Sequence, residues 1–200
     1  MAGVEPDRPL RDDADVQLDR EFFERPPDVV AQELLGTVMI VRGSRMFRAR
    51  ILETEAYGGL EDPASHAYRG PTPRAAIMFG PAGFLYVYLS YGIHWCMNVV
   101  TGERGSGSAV LLRAAEATDI TDDDHVSPVM LRGPGNLTRG LQITGADNGL
   151  DCCAVPSERL GFFARRAVVE PAAIGRSPRI GLSRAKERPS RYFLKPEIAK

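Results

Sequence analysis

No apolar run in this chain approaches the roughly 20 residues that a membrane-spanning helix needs. Cysteine is scarce. Cys96, Cys152 and Cys153 form an odd set without spaced pairs, which argues against a disulfide framework and for a reducing compartment. Cys152 and Cys153 are adjacent and have no further Cys or His beside them, so a zinc site there is disfavoured. Positive charge is not in excess either, the formal net charge being −1. That sum conceals a gradient. Residues 1–30 hold nine Asp/Glu and four Arg, whereas residues 159–200 hold eleven Lys/Arg and three Asp/Glu. The basic quarter includes Arg165, Arg166, Arg176, Arg179, Arg184, Lys186, Arg188 and Arg191. A basic face on a neutral protein suits a polyanionic partner, or it is balanced by the acidic N-terminus.

What is present fits a single globular domain with enough chain for a sizeable core. Residues 1–25 are polar and acidic and read as a disordered or loosely docked tail, not as a secretory signal. Residues 26–200 are then the domain. Val29 to Leu35 reads as a short helix, capped by Asp28 and stopped by Gly36. Thr37–Val41 and Phe47–Leu52 read as strands joined by a turn at Gly43-Ser44. Residues 58–83 read as a long loop. Phe84–Ser90 and Ile93–Val100 form a hairpin around Tyr91-Gly92, and Ser108–Ala114 is a further strand. Residues 117–128 read as an acidic loop, and residues 133–143 as a helical stretch. Arg179–Leu182 and Arg191–Leu194 read as closing strands. Hairpin-linked strands with few helices predict an α+β domain around a mostly antiparallel sheet.

Chemistry is most concentrated in Glu53-Thr54-Glu55-Ala56-Tyr57. Residues two apart on a strand share a face, so two carboxylates and a ring would point the same way. Such carboxylates are more often solvated or paired with arginine, and Arg48 and Arg50 are close in sequence. The hairpin Phe84–Asn98 packs five aromatic rings and one imidazole into fifteen residues. Tyr91 stands apart at its tip, where a large ring projects and can act as a wedge in a stacked duplex. Asn98 is an amide in an apolar strand and needs a hydrogen-bond partner.

These residues, in order, resemble the alkyladenine (3-methyladenine) DNA glycosylase family, in its bacterial type. The resemblance is carried by Glu53–Tyr57, Glu61–His66, Thr72-Pro73-Arg74, Met78-Phe79-Gly80, Leu85–Tyr88, Tyr91-Gly92, Cys96-Met97-Asn98 and Val110–Ala114. It continues through Gly133–Leu137, Pro178–Gly181 and Arg191-Tyr192-Phe193. It implies a curved, open-barrel-like sheet flanked by helices, with a protruding β-hairpin. It also implies base-excision repair, in which a damaged purine is flipped from duplex DNA and its N-glycosidic bond is hydrolysed.

By this resemblance Glu55 is the general base that activates water, and Arg113 helps to hold it. Tyr57 stacks on one face of the flipped base, with His66 and Tyr88 against the other. Asn98 lies at the pocket floor and rejects undamaged guanine, Tyr91 intercalates, and Thr72, Arg74, Met78 and His94 contact DNA. Glu53 has no role beyond structure. No metal or cofactor is implied, and the motif supplies no lysine for a strand-cleaving step. The partner is double-stranded DNA containing damaged purines. The protein is expected to be a monomer working in the cytoplasm at the nucleoid. His94, the acidic residues 117–128 and Ala75 depart from the family pattern. The competing reading is a metal-dependent hydrolase using Glu53, Glu55, Glu61, Asp62 and His66, although no spacing among them matches a helical ligand motif.

Overall fold

The computed structural model describes residues 16–121, 127–164 and 169–196. Two short helices come first, α1 (Arg20–Phe23) and α2 (Pro27–Glu33). The strands are β1 (Val38–Arg42), β2 (Met46–Tyr57), β3 (Leu85–Ser90), β4 (His94–Thr101), β5 (Ser108–Asp119), β6 (Val129–Arg132), β7 (Leu160–Phe163), β8 (Ile174–Ser177) and β9 (Arg191–Leu194). Helix α3 (Pro134–Gly140) lies between β6 and β7 in the chain. The strands join in one sheet of order β3-β4-β5-β2-β1-β7, with β6 on β5, β9 on β2 and β8 on β9. Every pairing is antiparallel. The sheet curls into an open half-barrel, as the α+β expectation requires.

The long strands β2 and β5 organise the molecule. The first half of β2 pairs with β1 and its second half with β9, while β5 passes from β4 to β6. At the changeover the β2–β5 ladder is irregular. Ile51 faces Ala115, Glu53 faces Ala114 and Thr54 faces Leu112, so Leu52 and then Arg113 fall out of register. Each bulge shifts the alternation by one residue. Phe47, Ala49 and Ile51 enter the main core before the bulge; Ala56 enters it after, and buried Thr54 hydrogen-bonds the Ala31 carbonyl at 2.8 Å. On β5 the core residues change from Val110 and Leu112 to Ala115 and Ala117. Glu53, Glu55 and Tyr57 are thereby turned to the opposite face. Without the bulge, the alternation begun at Phe47 would drive all three into the core.

That opposite face is roofed by the segment between β2 and β3. Ala67, Ala75 and Met78 from this segment pack with Tyr86, Val100 and Ala109 as a second apolar cluster.

Several expectations change. Residues 1–15 of the acidic tail lie outside the described residues. Residues 20–23, by contrast, form a helix whose Phe23 is fully buried in the main core, because two adjacent phenylalanines give this acidic stretch something to bury. Asp28 does not cap α2. Pro26 holds that position, and Asp28 accepts a hydrogen bond from the Tyr192 hydroxyl at 2.6 Å. Residues 117–119 are strand, because they pair with Phe47, Arg48 and Ala49; Asp122, Asp123 and Asp124 lie outside the described residues. Arg179–Leu182 is not a strand. The strand falls at Ile174–Ser177, and Arg179 is drawn instead to a buried carboxylate, with Gly181 at φ 77 ending the extended run. Nor is the basic C-terminal quarter one surface. Arg176, Arg184, Lys186 and Arg188 are exposed, but Arg179 and Arg191 turn inward to pair with acids. Arg165 and Arg166 lie outside the described residues.

Candidate active site

Four residues form one row across the sheet. Glu55 on β2 faces Leu111 on β5, Leu111 faces Asn98 on β4, and Asn98 faces Tyr86 on β3. Directly opposed residues point to the same side of a sheet, so this row lines the roofed face. Two inter-strand steps of about 4.8 Å separate the Glu55 and Asn98 backbones by about 10 Å, with Leu111 between them. Tyr57 lies on the same face one step along β2, opposite Ala109.

Glu55 has no solvent exposure. A buried carboxylate is costly unless it is fully hydrogen-bonded. The Tyr57 hydroxyl donates to Oε2 at 2.8 Å, the Ile180 amide donates to Oε1 at 2.8 Å, and Arg113 Nη1 lies 3.3 Å from Oε1. Burial, and then the adjacent Glu55 charge, push the Tyr57 hydroxyl far above its ordinary value, so it remains a donor.

Arg113 is shared. Its Nε donates to Glu53 at 2.8 Å, and Arg191 Nε donates to the same Glu53 oxygen at 2.7 Å. Burial works against ionising Glu53, but the hydrogen bonds from Arg191 and then Arg113 prevail and hold its carboxyl below the usual range. Arg191, Glu53, Arg113 and Glu55 thus alternate in charge. The bulge at Arg113 aims its side chain between the two carboxylates.

Across the row, Asn98 is nearly buried and its Nδ2 donates to the Tyr86 carbonyl at 3.0 Å, which orients the amide. His66 keeps part of its ring open to solvent. Its Nδ1 shares a 2.8 Å hydrogen bond with the Tyr86 hydroxyl, and it meets Tyr88 edge-on at 4.6 Å. Burial of its packed edge and, second, the charge of Arg74 hold its pKa below the ordinary value, so the ring is neutral near pH 7. Arg74 lies 4.7 Å over the Tyr88 ring and reaches the Leu89 carbonyl. A guanidinium also covers Tyr57, where Arg179 lies 4.5 Å from the ring centroid.

Glu55, Arg113, Tyr57, His66, Tyr88, Asn98 and Arg74 are therefore brought to one face of the sheet. Tyr91 and His94 stand at the far end of the β3–β4 hairpin. Tyr91 is 86% exposed, at φ 49 beside Gly92 at φ 69, in a turn closed by the Ile93 amide on the Ser90 carbonyl. His94 packs against Gly135 at the start of α3, where an added Cβ would lie 2.7 Å from its ring. Thr72 is exposed, and its hydroxyl accepts from the Ala75 amide. Met78 does not reach the surface. It is 3% exposed in the second cluster, among Ala67 and Tyr86, and it packs the roof.

Sequence reasoning gave Tyr86, Arg179 and Arg191 no place in the site, and put Asp62 only among the candidate metal ligands. Tyr86, two residues from Tyr88 on β3, shares its face. Asp62, Arg179 and Arg191 lay inside the motif blocks, with nothing in the local sequence to say what they would pair with. Among the described residues no three of Glu53, Glu55, Glu61, Asp62 and His66 come together as a metal site, and Glu53 and Asp62 are each ion-paired with arginine. A groove of about 700 Å³ between the hairpin and α3 is lined by Ile93, His94, Trp95, Gly135, Asn136 and Arg139, among others. It holds no carboxylate and is not the chemical centre.

The family model for methylpurine-DNA glycosylase (MPG) matches residues 21–197. A protein of Frankia casuarinae is 46% identical over 190 residues, covering 88% of each chain. One of Rhodopseudomonas palustris (strain BisB5) is 46% identical over 186 residues, covering 89% of this chain and 86% of its own. One of Burkholderia cenocepacia is 39% identical over 183 residues, covering 88% and 86%. All three carry the name "Putative 3-methyladenine DNA glycosylase". With its model matched over nearly the whole length, the chain belongs to the methylpurine-DNA glycosylase family, enzymes of DNA repair.

Proposed function

We propose that this protein flips alkylated or deaminated purines out of duplex DNA and hydrolyses their N-glycosidic bond with a water activated by Glu55, leaving an abasic site. Its substrates are 3-methyladenine, 7-methylguanine, hypoxanthine and ethenoadenine. The observation that carries this reading is the fully buried Glu55, held by two hydrogen bonds and the Arg113 ion pair, on the same face as Asn98, His66 and Tyr88. An ionised carboxylate has about four lone-pair sites, so two hydrogen bonds and the side turned to Arg113 still leave one for a water. Glu55 takes a proton from that water as its oxygen bonds to C1′, and the C1′–N bond breaks with its electron pair passing to the base. The developing oxocarbenium charge is stabilised by the same carboxylate. Arg113, also engaged by Glu53, steadies Glu55 while Glu53 bears part of its charge.

A purine alkylated at N3 or N7 already carries positive charge and leaves neutral, without a proton from the enzyme. Neutral lesions need protonation, with His66 or a water involved. The base lies between Tyr57 on one face and His66 with Tyr88 on the other. Asn98 meets its edge and disfavours the exocyclic amine of guanine. Tyr91 fills the vacated stack, and Thr72, Arg74 and His94 contact the duplex. The protein acts as a monomer, in the cytoplasm and at the nucleoid.

The test is base release from a duplex carrying a single hypoxanthine or ethenoadenine, and from methylated DNA, read as strand breaks after hot alkali. Glu55→Gln should lower single-turnover release by about 10²–10⁴-fold. Full activity in that variant would remove Glu55 from the role of base.

A further inference from the structure

The loop after β8 carries an ion pair that the mechanism above leaves unused. The side chains of Arg179 and Asp62 are almost wholly buried. Both guanidinium ends grip both carboxylate oxygens, with Nη2 donating to Oδ1 at 2.9 Å. Arg179 Nη1 also donates to the Ala56 carbonyl at 2.9 Å, and the guanidinium carbon lies over the Tyr57 ring, 4.5 Å from its centroid. One residue further on, the Ile180 amide donates to Glu55 Oε1 at 2.8 Å. One side chain therefore touches Ala56 and Tyr57 directly and reaches Glu55 through the next peptide.

Stability alone does not account for this pair. A buried ion pair is often no better than well-packed apolar residues of the same volume. Here Arg179 Nε is buried without a hydrogen-bond partner among the described residues, which adds a desolvation cost. A pair that is costly to bury and incompletely satisfied calls for an explanation in what it holds in place.

We propose that Arg179, clamped by Asp62, is a positioning residue for Glu55 and for the stacking ring of Tyr57; this rests on the reading of Glu55 as the general base. Arg179 closes the back of the Tyr57 ring, so that the ring offers a base only its other face. It fixes the peptide whose amide orients one oxygen of Glu55, while Tyr57 orients the other. A lysine cannot replace it, because an ammonium cannot bind a carboxylate as a fork and stack on a ring at once.

The test uses the full chain with Arg179→Lys and with the double variant Arg179→Met/Asp62→Leu. The double variant removes both charges and leaves neither buried alone. Both are expected to fold, to bind a lesion-containing duplex within about threefold of wild type, and to lose about 10–100-fold in single-turnover base release, as a small misplacement of a reacting group does. The loss falls on the chemical step and not on binding. A purely structural pair would lower the melting temperature and leave the rate of the folded, saturated enzyme unchanged; that result overturns the proposal. If the double variant does not fold, Arg179→Lys alone decides between these outcomes. A wild-type protein that releases no base sinks the glycosylase reading and this proposal together. An active wild type with equally active variants sinks the positioning role alone.

Discussion

His66 has its Nδ1 edge against the Tyr86 hydroxyl, Tyr88 across its ring and Arg74 nearby. None of these neighbours is anionic, so a proton on this ring gains no partner among them and adds a second cation beside Arg74. Its folded pKa is held below the ordinary 6.5, so the unfolded chain binds the proton more readily. The sign follows from that difference. The contribution of His66 to stability is fully present above pH 6.5 and is lost as the pH falls through that value toward the folded pKa. The melting temperature should therefore decline on acidification from about pH 7 to about pH 5. His66→Gln should decline less over the same interval, measured by thermal unfolding in parallel buffers; an identical decline would remove His66 as the source. Single residues also mark how far sequence alone reaches. Glu55 and Tyr57 stand in one motif, two residues apart on a strand, and their hydrogen bond is local. Arg179 and Asp62 are 117 positions apart, and Arg191 and Glu53 are 138 apart. No local pattern says which of many arginines closes on which carboxylate, because that is decided by the curl of the sheet.

The β3–β4 hairpin places its most exposed ring on its least comfortable backbone. A non-glycine residue at positive φ costs about 1–2 kcal/mol, and Tyr91 sits at φ 49 with 86% of its surface in water. Tyr91→Gly relieves that cost and loses no packing, while glycine makes the unfolded chain more favourable by about 0.5–1 kcal/mol. The net effect is a small gain of about 1.5 kcal/mol at most, so the variant should unfold at or a few degrees above the wild-type temperature. It should nevertheless bind a lesion duplex more weakly and release base more slowly, because the wedge is gone. Unchanged binding together with unchanged single-turnover rates would mean that Tyr91 does not intercalate. The hairpin was legible because aromatic strands flanking a Tyr-Gly turn are a local signal. The bulges of β2 and β5 were not. Alternation from Phe47 to Ile51 gives no warning that Leu52 will drop out of register. The only trace is that small Thr54 and Ala56 take over the apolar side while Glu53 and Glu55 become the odd positions. The site depends on that slip, since it alone turns Glu55 away from the core.

Across the whole molecule, the N-terminal acidic stretch is two things joined together. Its composition is nearly uniform, which is why residues 1–25 read as one tail, yet its second part holds distant pieces of the fold. Leu18 donates from its amide to the Phe162 carbonyl on β7 at 2.8 Å, and Gln17 Nε2 donates to the Cys152 carbonyl at 3.0 Å. Arg20 pairs with Asp151 at 2.7 Å. Phe23 lies fully buried, with its ring 5.5 Å from that of Phe162. These contacts, with the antiparallel bridge from Gln17 to Phe163, tie the edge of β7 and the segment around Cys152 to the main core. A chain beginning at Val16 keeps all of them. A chain beginning at Pro26 loses them together. Phe23 alone is worth about 3–5 kcal/mol by analogy with buried Phe→Ala changes. Against a total stability of about 5–15 kcal/mol, that loss is enough to lower the melting temperature by many degrees or to leave the domain partly unfolded. Glu55, Arg113 and Asn98 are untouched by either truncation, so whatever fraction of the shorter chain folds should release base at the normal single-turnover rate. If the chain beginning at Pro26 melts at the same temperature as the full-length protein, α1 is not part of the folding unit.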